Sequence, residues 1–90
     1  MFKVINENDT TVLLEVELPA GQTAEQLLNS MDQELETLAK ASTFYGKDVK
    51  INGRITTYMC AFAGHKLAHI CKSVSIFVPQ ENQYITVIKH

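Results

Sequence analysis

The sequence predicts an α+β domain in which two helices pack on one face of a mostly antiparallel sheet. Three observations predict it. Short segments rich in β-branched residues lie at both ends of the chain. Two apolar segments of helical period lie between them. Turn-forming residues punctuate every junction.

In order, Phe2 to Ile5 reads as a short strand, closed by the turn cluster Asn6-Glu7-Asn8-Asp9. Thr11 to Leu18 reads as a second strand paired to the first, with Glu15 and Glu17 outward and Pro19-Ala20-Gly21 ending it. Thr23 and Gln26 then fit a capping box. Behind it Leu27, Leu28, Met31, Leu35 and Leu38 recur at helical spacing, with Asp32, Glu34 and Glu36 on a solvated face. Tyr45 to Asp48 is a turn and Val49 to Ile51 a strand stopped by Asn52-Gly53. A second helix is expected from about Ile55 to Cys71, then strands from Ser73 to Phe77 and from Tyr84 to Ile88 about a turn at Pro79 to Gln83. The order ββαβαββ, two helices against one sheet, is that of a ferredoxin-like sandwich, with residues 1–90 forming one domain.

Ninety residues bury only roughly 60–65% of the surface of their unfolded chain, so a homo-oligomer that hides more is expected. The start of the chain turns polar at once and holds no signal-peptide core. The longest apolar-rich stretch is interrupted by His65, Lys66 and His69 and is too short to span a bilayer. A cytoplasmic protein without a membrane partner is expected. Cys60 and Cys71, eleven positions apart, would lie about 16 Å apart along one helix, too far for a disulfide. They read as small buried hydrophobes.

The net charge of −2 hides an asymmetry. Residues 1–48 carry three lysines against nine carboxylates, a balance of −6. Residues 49–90 carry five cations against Glu81 alone, a balance of +4, together with all three histidines. Such a split fits a localised anion site better than a broad duplex-binding face, so DNA is not an expected partner.

The candidate residues fall in that second half. Asn52-Gly53-Arg54 precedes a helix, where free backbone N–H groups favour an anion. Gly53 would let a ligand approach the backbone, Arg54 would fork onto a phosphate, and Thr56 or Thr57 would cap the helix or offer a hydroxyl. Along the helix Tyr58, Phe62, His65 and His69 make one stripe, beside the apolar stripe of Met59, Ala63, Leu67 and Ile70. The apolar stripe suits the core, which leaves the histidine stripe for a partner subunit, a nucleobase or a site. His65 and His69 also have metal-ligand spacing, but almost no carboxylate nearby completes a coordination shell. Lys89 and His90 close the last strand.

Taken in order, Ile51-Asn52-Gly53-Arg54, Gly64-His65-Lys66-Leu67-Ala68-His69, Val74 to Pro79, and Tyr84 to His90 resemble the small CRISPR-associated ring nucleases of the third class. The resemblance covers the second half of the chain; the first half agrees only in its hairpin and length. It implies a ferredoxin-like protein that forms dimers and binds cyclic tetra-adenylate. Two dimers sandwich the ring, as a tetramer or a filament, and cleave it with manganese help, ending type III CRISPR signalling. Carried onto this chain, His69 and His90 would be catalytic and Arg54 and Lys89 phosphate contacts, while His65 would rather support the structure; with the helix-start reading, the expected ligand-binding set is Gly53, Arg54, Thr56, His65 and Lys89. In one departure, the family's aspartate before the proline is Val78, which can neither bind a metal nor exchange a proton.

Three readings follow. The first is a phosphodiesterase acting on cyclic oligoadenylate, in which the ribose 2′-hydroxyl attacks its own phosphodiester and His69 accepts the proton. The second is a non-catalytic binder of cyclic oligoadenylate or short RNA, which Val78 favours. The third is an oligomerisation module without a nucleotide ligand.

Overall fold

The alternation of Val12, Leu14 and Val16 with Thr11, Leu13 and Glu15 gives one strand two unlike faces, and the whole molecule is organised by that difference. The computed structural model describes residues 1–41, 43–53 and 55–89. The element order is β1 (Phe2–Glu7), β2 (Thr11–Val16), α1 (Ala24–Lys40), β3 (Asp48–Gly53), α2 (Thr57–Ala68), β4 (Ser73–Val78) and β5 (Gln83–Lys89). These elements form one five-stranded sheet in the spatial order β1-β2-β3-β4-β5. Layers and element order are those expected of a ferredoxin-like α+β sandwich.

The expected mostly antiparallel sheet is a mixed one. The outer pairs β1–β2 and β4–β5 are antiparallel, whereas β2–β3 and β3–β4 are parallel. The cause is connectivity. Each helix returns the chain to the end of the sheet it left, so the strands it joins run the same way. Both crossovers step in the same direction across the sheet, which places both helices on one face. Val12, Leu14, Val16, Val49, Ile51 and Val74 bury that face against Met31 and Leu35 of α1 and Met59, Ala63 and Leu67 of α2.

Local chemistry accounts for the element ends. The side chain of Asn8 accepts from the backbone N–H groups of Thr10 and Thr11, at 2.9 and 2.8 Å, and so sets the first hairpin. Thr23 caps α1 as expected: its hydroxyl accepts from the Gln26 N–H at 3.2 Å, and the Gln26 side chain accepts from the Thr23 N–H at 3.0 Å. Thr23→Ala is expected to lower stability by about 1 kcal/mol. At about 4–8 °C per kcal/mol for a domain of this size, thermal melting by circular dichroism resolves it.

Two other expectations change. The second helix ends at Ala68, so Cys71 sits beyond it, buried, while Cys60 is half-buried; both are free thiols. The acidic face of α1 is not merely solvated. Lys66 of α2 bridges to Asp32 at 2.7 Å and to Glu36, and these carboxylates, Asp32 first, hold its ammonium pKa above the ordinary lysine value. Among the described residues, no helix is long and apolar enough to cross a membrane.

Candidate functional site

The chain enters α2 through Gly53 and Thr56. Gly53 adopts φ +105°, and a Cβ there would lie 2.4 Å from the Val16 carbonyl oxygen. The backbone of β2 thus fills the space that the missing side chain leaves. Thr56 is the N-cap residue, with φ −81° and ψ 165°, but its side chain makes no cap hydrogen bond. Its Oγ1 is buried and has no partner among the described residues. No carboxylate stands in the first turn, so the positive end of the helix dipole is uncompensated there. Arg54, the expected phosphate fork of this turn, lies outside the described residues.

The histidines stand at the other end of α2. His65 and His69 are both exposed, and their rings meet edge to face with centroids 5.7 Å apart. Met59, Ala63 and Leu67 turn into the core as periodicity assigns, whereas the other stripe divides: Tyr58, His65 and His69 are exposed and Phe62 is half-buried against the core. From Thr56 to His69 the axial distance is about 20 Å at 1.5 Å per residue. His90 lies outside the described residues. Among the described residues, no three histidine, cysteine, aspartate or glutamate side chains gather as a metal-binding group.

Val78 closes β4 at the end away from His69, five residues beyond Ser73 and so about 17 Å along the strand. It lines an apolar groove of about 520 Å³ between α2 and the β4–β5 hairpin. Gly64 lets α2 approach β5 closely there: a Cβ at this position would meet Ile88 Cδ1 at 2.8 Å. Ile85 and Val87 remain 37% and 58% exposed beside the groove. Glu81, the nearest acidic residue in sequence, is exposed in the hairpin turn and accepts from Gln83 Nε2 at 3.1 Å.

Sequence reasoning missed the opposite face of the sheet. Simple alternation puts Tyr84, Thr86 and Ile88 together, but the β4–β5 ladder is irregular. Val74 pairs with Ile88 and Ser75 with Thr86, which leaves Val87 as an extra residue. The bulge reverses the pattern, sending Ile88 to the core side and Lys89 to the open side. On that open face Ser73 lies between Asp48 and Lys89, and Ser75 between Lys50 and Thr86, while Phe77 lies beside Tyr84. The Ser73 hydroxyl donates to Asp48 Oδ1 at 2.6 Å, and the Ser75 and Thr86 hydroxyls pair at 3.0 Å. Phe77 and Tyr84 meet edge to face at 5.2 Å, and Lys50 Nζ lies 5.4 Å from the Tyr84 ring centroid. Lys89 joins this face and not the histidine face, so within one chain the expected site residues occupy three places.

The cysteines take no part in this chemistry. Burial pushes the Cys60 thiol up; burial also raises the Cys71 thiol, which donates to the Leu67 carbonyl at 2.9 Å. Both are expected to react with a disulfide reagent at neutral pH more slowly in the native protein than after unfolding in guanidinium. The check is the rate of thionitrobenzoate release.

Compared with models of known protein families the chain matches none, and no curated protein matches it.

Proposed function

We propose that this protein binds cyclic tetra-adenylate as a homo-oligomer and opens the ring, acting in the cytoplasm as a ring nuclease of type III CRISPR defence. The reading rests on the ordered resemblance of β3, α2, β4 and β5 to that family. The observation that carries its oligomeric form is the separation of the expected residues. Thr56, just beyond Gly53 at the end of β3, stands about 20 Å from His69 along α2, so a single chain cannot gather them around one phosphodiester. A rotationally symmetric anion shared between symmetric subunits removes that difficulty. The uncovered groove beside the edge strand β5, with Ile85 and Val87 exposed, supports self-association at this edge.

The chemistry needs no protein nucleophile. The ribose 2′-oxygen attacks the adjacent phosphorus, His69 accepts the hydroxyl proton, and the bond to the 5′-oxygen breaks. The products are a 2′,3′-cyclic phosphate and a 5′-hydroxyl, the latter protonated by solvent. His69 suits the acceptor role because it is exposed to an incoming ribose and its imidazole can take up a proton. Arg54 and Lys89 would neutralise phosphate charge, with Gly53, Thr56 and His65 around them and His90 as a second proton-transfer group. Among the described residues of one chain, no group of side chains fits manganese.

Val78 favours a second reading, a protein that holds the cyclic messenger without cutting it. Incubation with labelled cyclic tetra-adenylate, with and without manganese, on native and denaturing gels separates the two. Linear products that require His69 establish the nuclease. A shifted but intact ring establishes the binder, and no shift overturns both.

A further inference from the structure

We propose that Asn52 is a site of self-modification: its side-chain amide is lost to attack by the backbone nitrogen of Gly53, leaving a carboxylate where the chain turns into α2. Solvent water is the co-reactant. The conversion goes beyond the reading above and does not depend on it.

The fold holds the two reacting groups together. The Gly53 N–H donates to Asn52 Oδ1 at 2.7 Å, so the nitrogen stands against the carboxamide of the preceding side chain. The carboxamide carbon, one bond behind that oxygen, is the atom attacked. Pairing with β4 ends at Ile51, so Asn52 and Gly53 are held by β2 on one side only. Asn52 is half-buried, whereas Gly53 is exposed and has no side chain to shield its nitrogen from base. The other asparagines, thermolabile as a residue type, lack this combination. Asn6, Asn8, Asn29 and Asn82 all precede residues that carry a side chain beside the backbone nitrogen. Asn29 also lies inside α1, and Asn8 Oδ1 is taken by the N–H groups of Thr10 and Thr11. Nor can a bulkier residue protect Asn52. A Cβ at position 53 would lie 2.4 Å from the Val16 carbonyl oxygen, so the fold requires there the glycine that leaves Asn52 reactive.

The atoms balance without an oxidant or reductant. Base removes the Gly53 amide proton, the nitrogen bonds to Asn52 Cγ, and the Cγ–Nδ2 bond breaks. Ammonia leaves, completed by a proton from solvent. In the cyclic imide that remains, Gly53 N is joined to both carbonyl carbons of residue 52, and water opens it at one of them. Breaking the bond to Cγ gives aspartate in an ordinary chain. Breaking the bond to the main-chain carbonyl carbon routes the chain through Cβ and Cγ as isoaspartate. That chain is longer by one carbon, about 1.5 Å. Gly53 is wedged against Val16, so the isoaspartyl product must open the end of the β2–β3 ladder. Both products carry a negative charge at neutral pH. That charge repels the phosphate expected at this turn, so the anion site switches itself off with age. This consequence, unlike the conversion, rests on the reading above.

The test incubates the full native chain in mildly alkaline buffer, beside the same chain unfolded in guanidinium. Each asparagine is followed by mass spectrometry of peptides digested in acid, and the native chain by isoelectric focusing. Asn52 is expected to convert first, in the native as in the unfolded chain, with each converted chain gaining one negative charge. Asn52→Gln, whose longer side chain would have to close a larger ring, should abolish the acidic species. The proposal is overturned if Asn52 stays intact in the native chain while the unfolded chain converts. It is equally overturned if another asparagine converts first, or if Asn52→Gln still yields the acidic species. Asn52→Asp reproduces the aspartyl product and is expected to bind cyclic tetra-adenylate about fivefold more weakly, as for a like charge a few ångströms from a phosphate in water. The loss should shrink as salt rises. Binding equal to the parent overturns the switch. Failure of the parent itself to bind overturns the preceding proposal alone, because the conversion is read by mass and charge.

Discussion

Gly53→Ala is expected to destabilise the protein by about 3 kcal/mol, combining backbone strain with a forced shift of a neighbouring strand. At φ +105° any residue with a Cβ is strained, which accounts for about 1–3 kcal/mol. The new Cβ would also lie 2.4 Å from the Val16 carbonyl oxygen and 2.9 Å from the Val16 nitrogen. Those are backbone atoms of β2 and cannot rotate away, so the parallel ladder between Val16 and Gly53 must open. Against a typical total stability of about 5–15 kcal/mol this is a large fraction. The melting temperature should fall by more than about 10 °C. Gly21→Ala is the control, since Gly21 also has positive φ, +75°, but nothing lies within 4 Å of its would-be Cβ. Calorimetry should therefore give a markedly smaller loss at Gly21 than at Gly53. Equal losses would mean that strain alone acts and that the approach of Val16 has no energetic weight.

The same geometry changes what Gly53 means for function. A glycine ahead of a helix was read from the sequence as room for a ligand. That reading follows from the residue type, because a lone glycine gives no sign of what occupies the space beside it. The missing information was strand order. Only when β2 lies parallel and adjacent to β3 does Val16 arrive against Gly53, and no local pattern encodes which strands become neighbours. Other features were legible for the opposite reason, that they are set within a few residues. The capping box at Thr23 and Gln26 is one. The partition of α2 into a buried Met59, Ala63 and Leu67 stripe and an exposed His65 and His69 stripe is another. The N-cap-to-N3 spacing fixes the first and helical period the second, without reference to the rest of the fold. The open sheet face fell between these cases. Alternation marks Ser73, Ser75 and Phe77 as one set, but the extra residue at Val87 moves Lys89 into that set and Ile88 out of it. A bulge depends on tertiary pairing and leaves no mark in the period of a single strand.

If the ring-nuclease proposal holds, His69→Ala should lower single-turnover cleavage of cyclic tetra-adenylate by about 10²–10⁴-fold. This substitution isolates chemistry from folding. His69 is exposed at the C-terminal end of α2, and its ring meets that of His65 edge to face, so the change in stability should stay within about 0.5 kcal/mol. Lost cleavage with retained ring binding and an unchanged melting curve would place His69 at the proton transfer. Unchanged cleavage would remove His69 from the mechanism. The companion substitution is Val78→Asp, which restores the carboxylate whose absence favours the binder reading. Val78 is half-buried in the groove beside β5, so an aspartate there bears a desolvation cost and should lower stability. Yet Val78 stands about 17 Å along β4 from the histidine end. A carboxylate at that distance cannot act on the same phosphodiester as the His69 of its own chain. A rate gained by Val78→Asp must therefore come from two copies meeting around one ring. Mixing Val78→Asp chains with His69→Ala chains provides the decisive comparison. Sites that join the aspartate of one chain to the His69 of another require Val78→Asp chains to contribute that histidine. Cleavage per Val78→Asp chain should fall as His69→Ala chains dilute the assembly. A constant rate per chain would show that each subunit works alone.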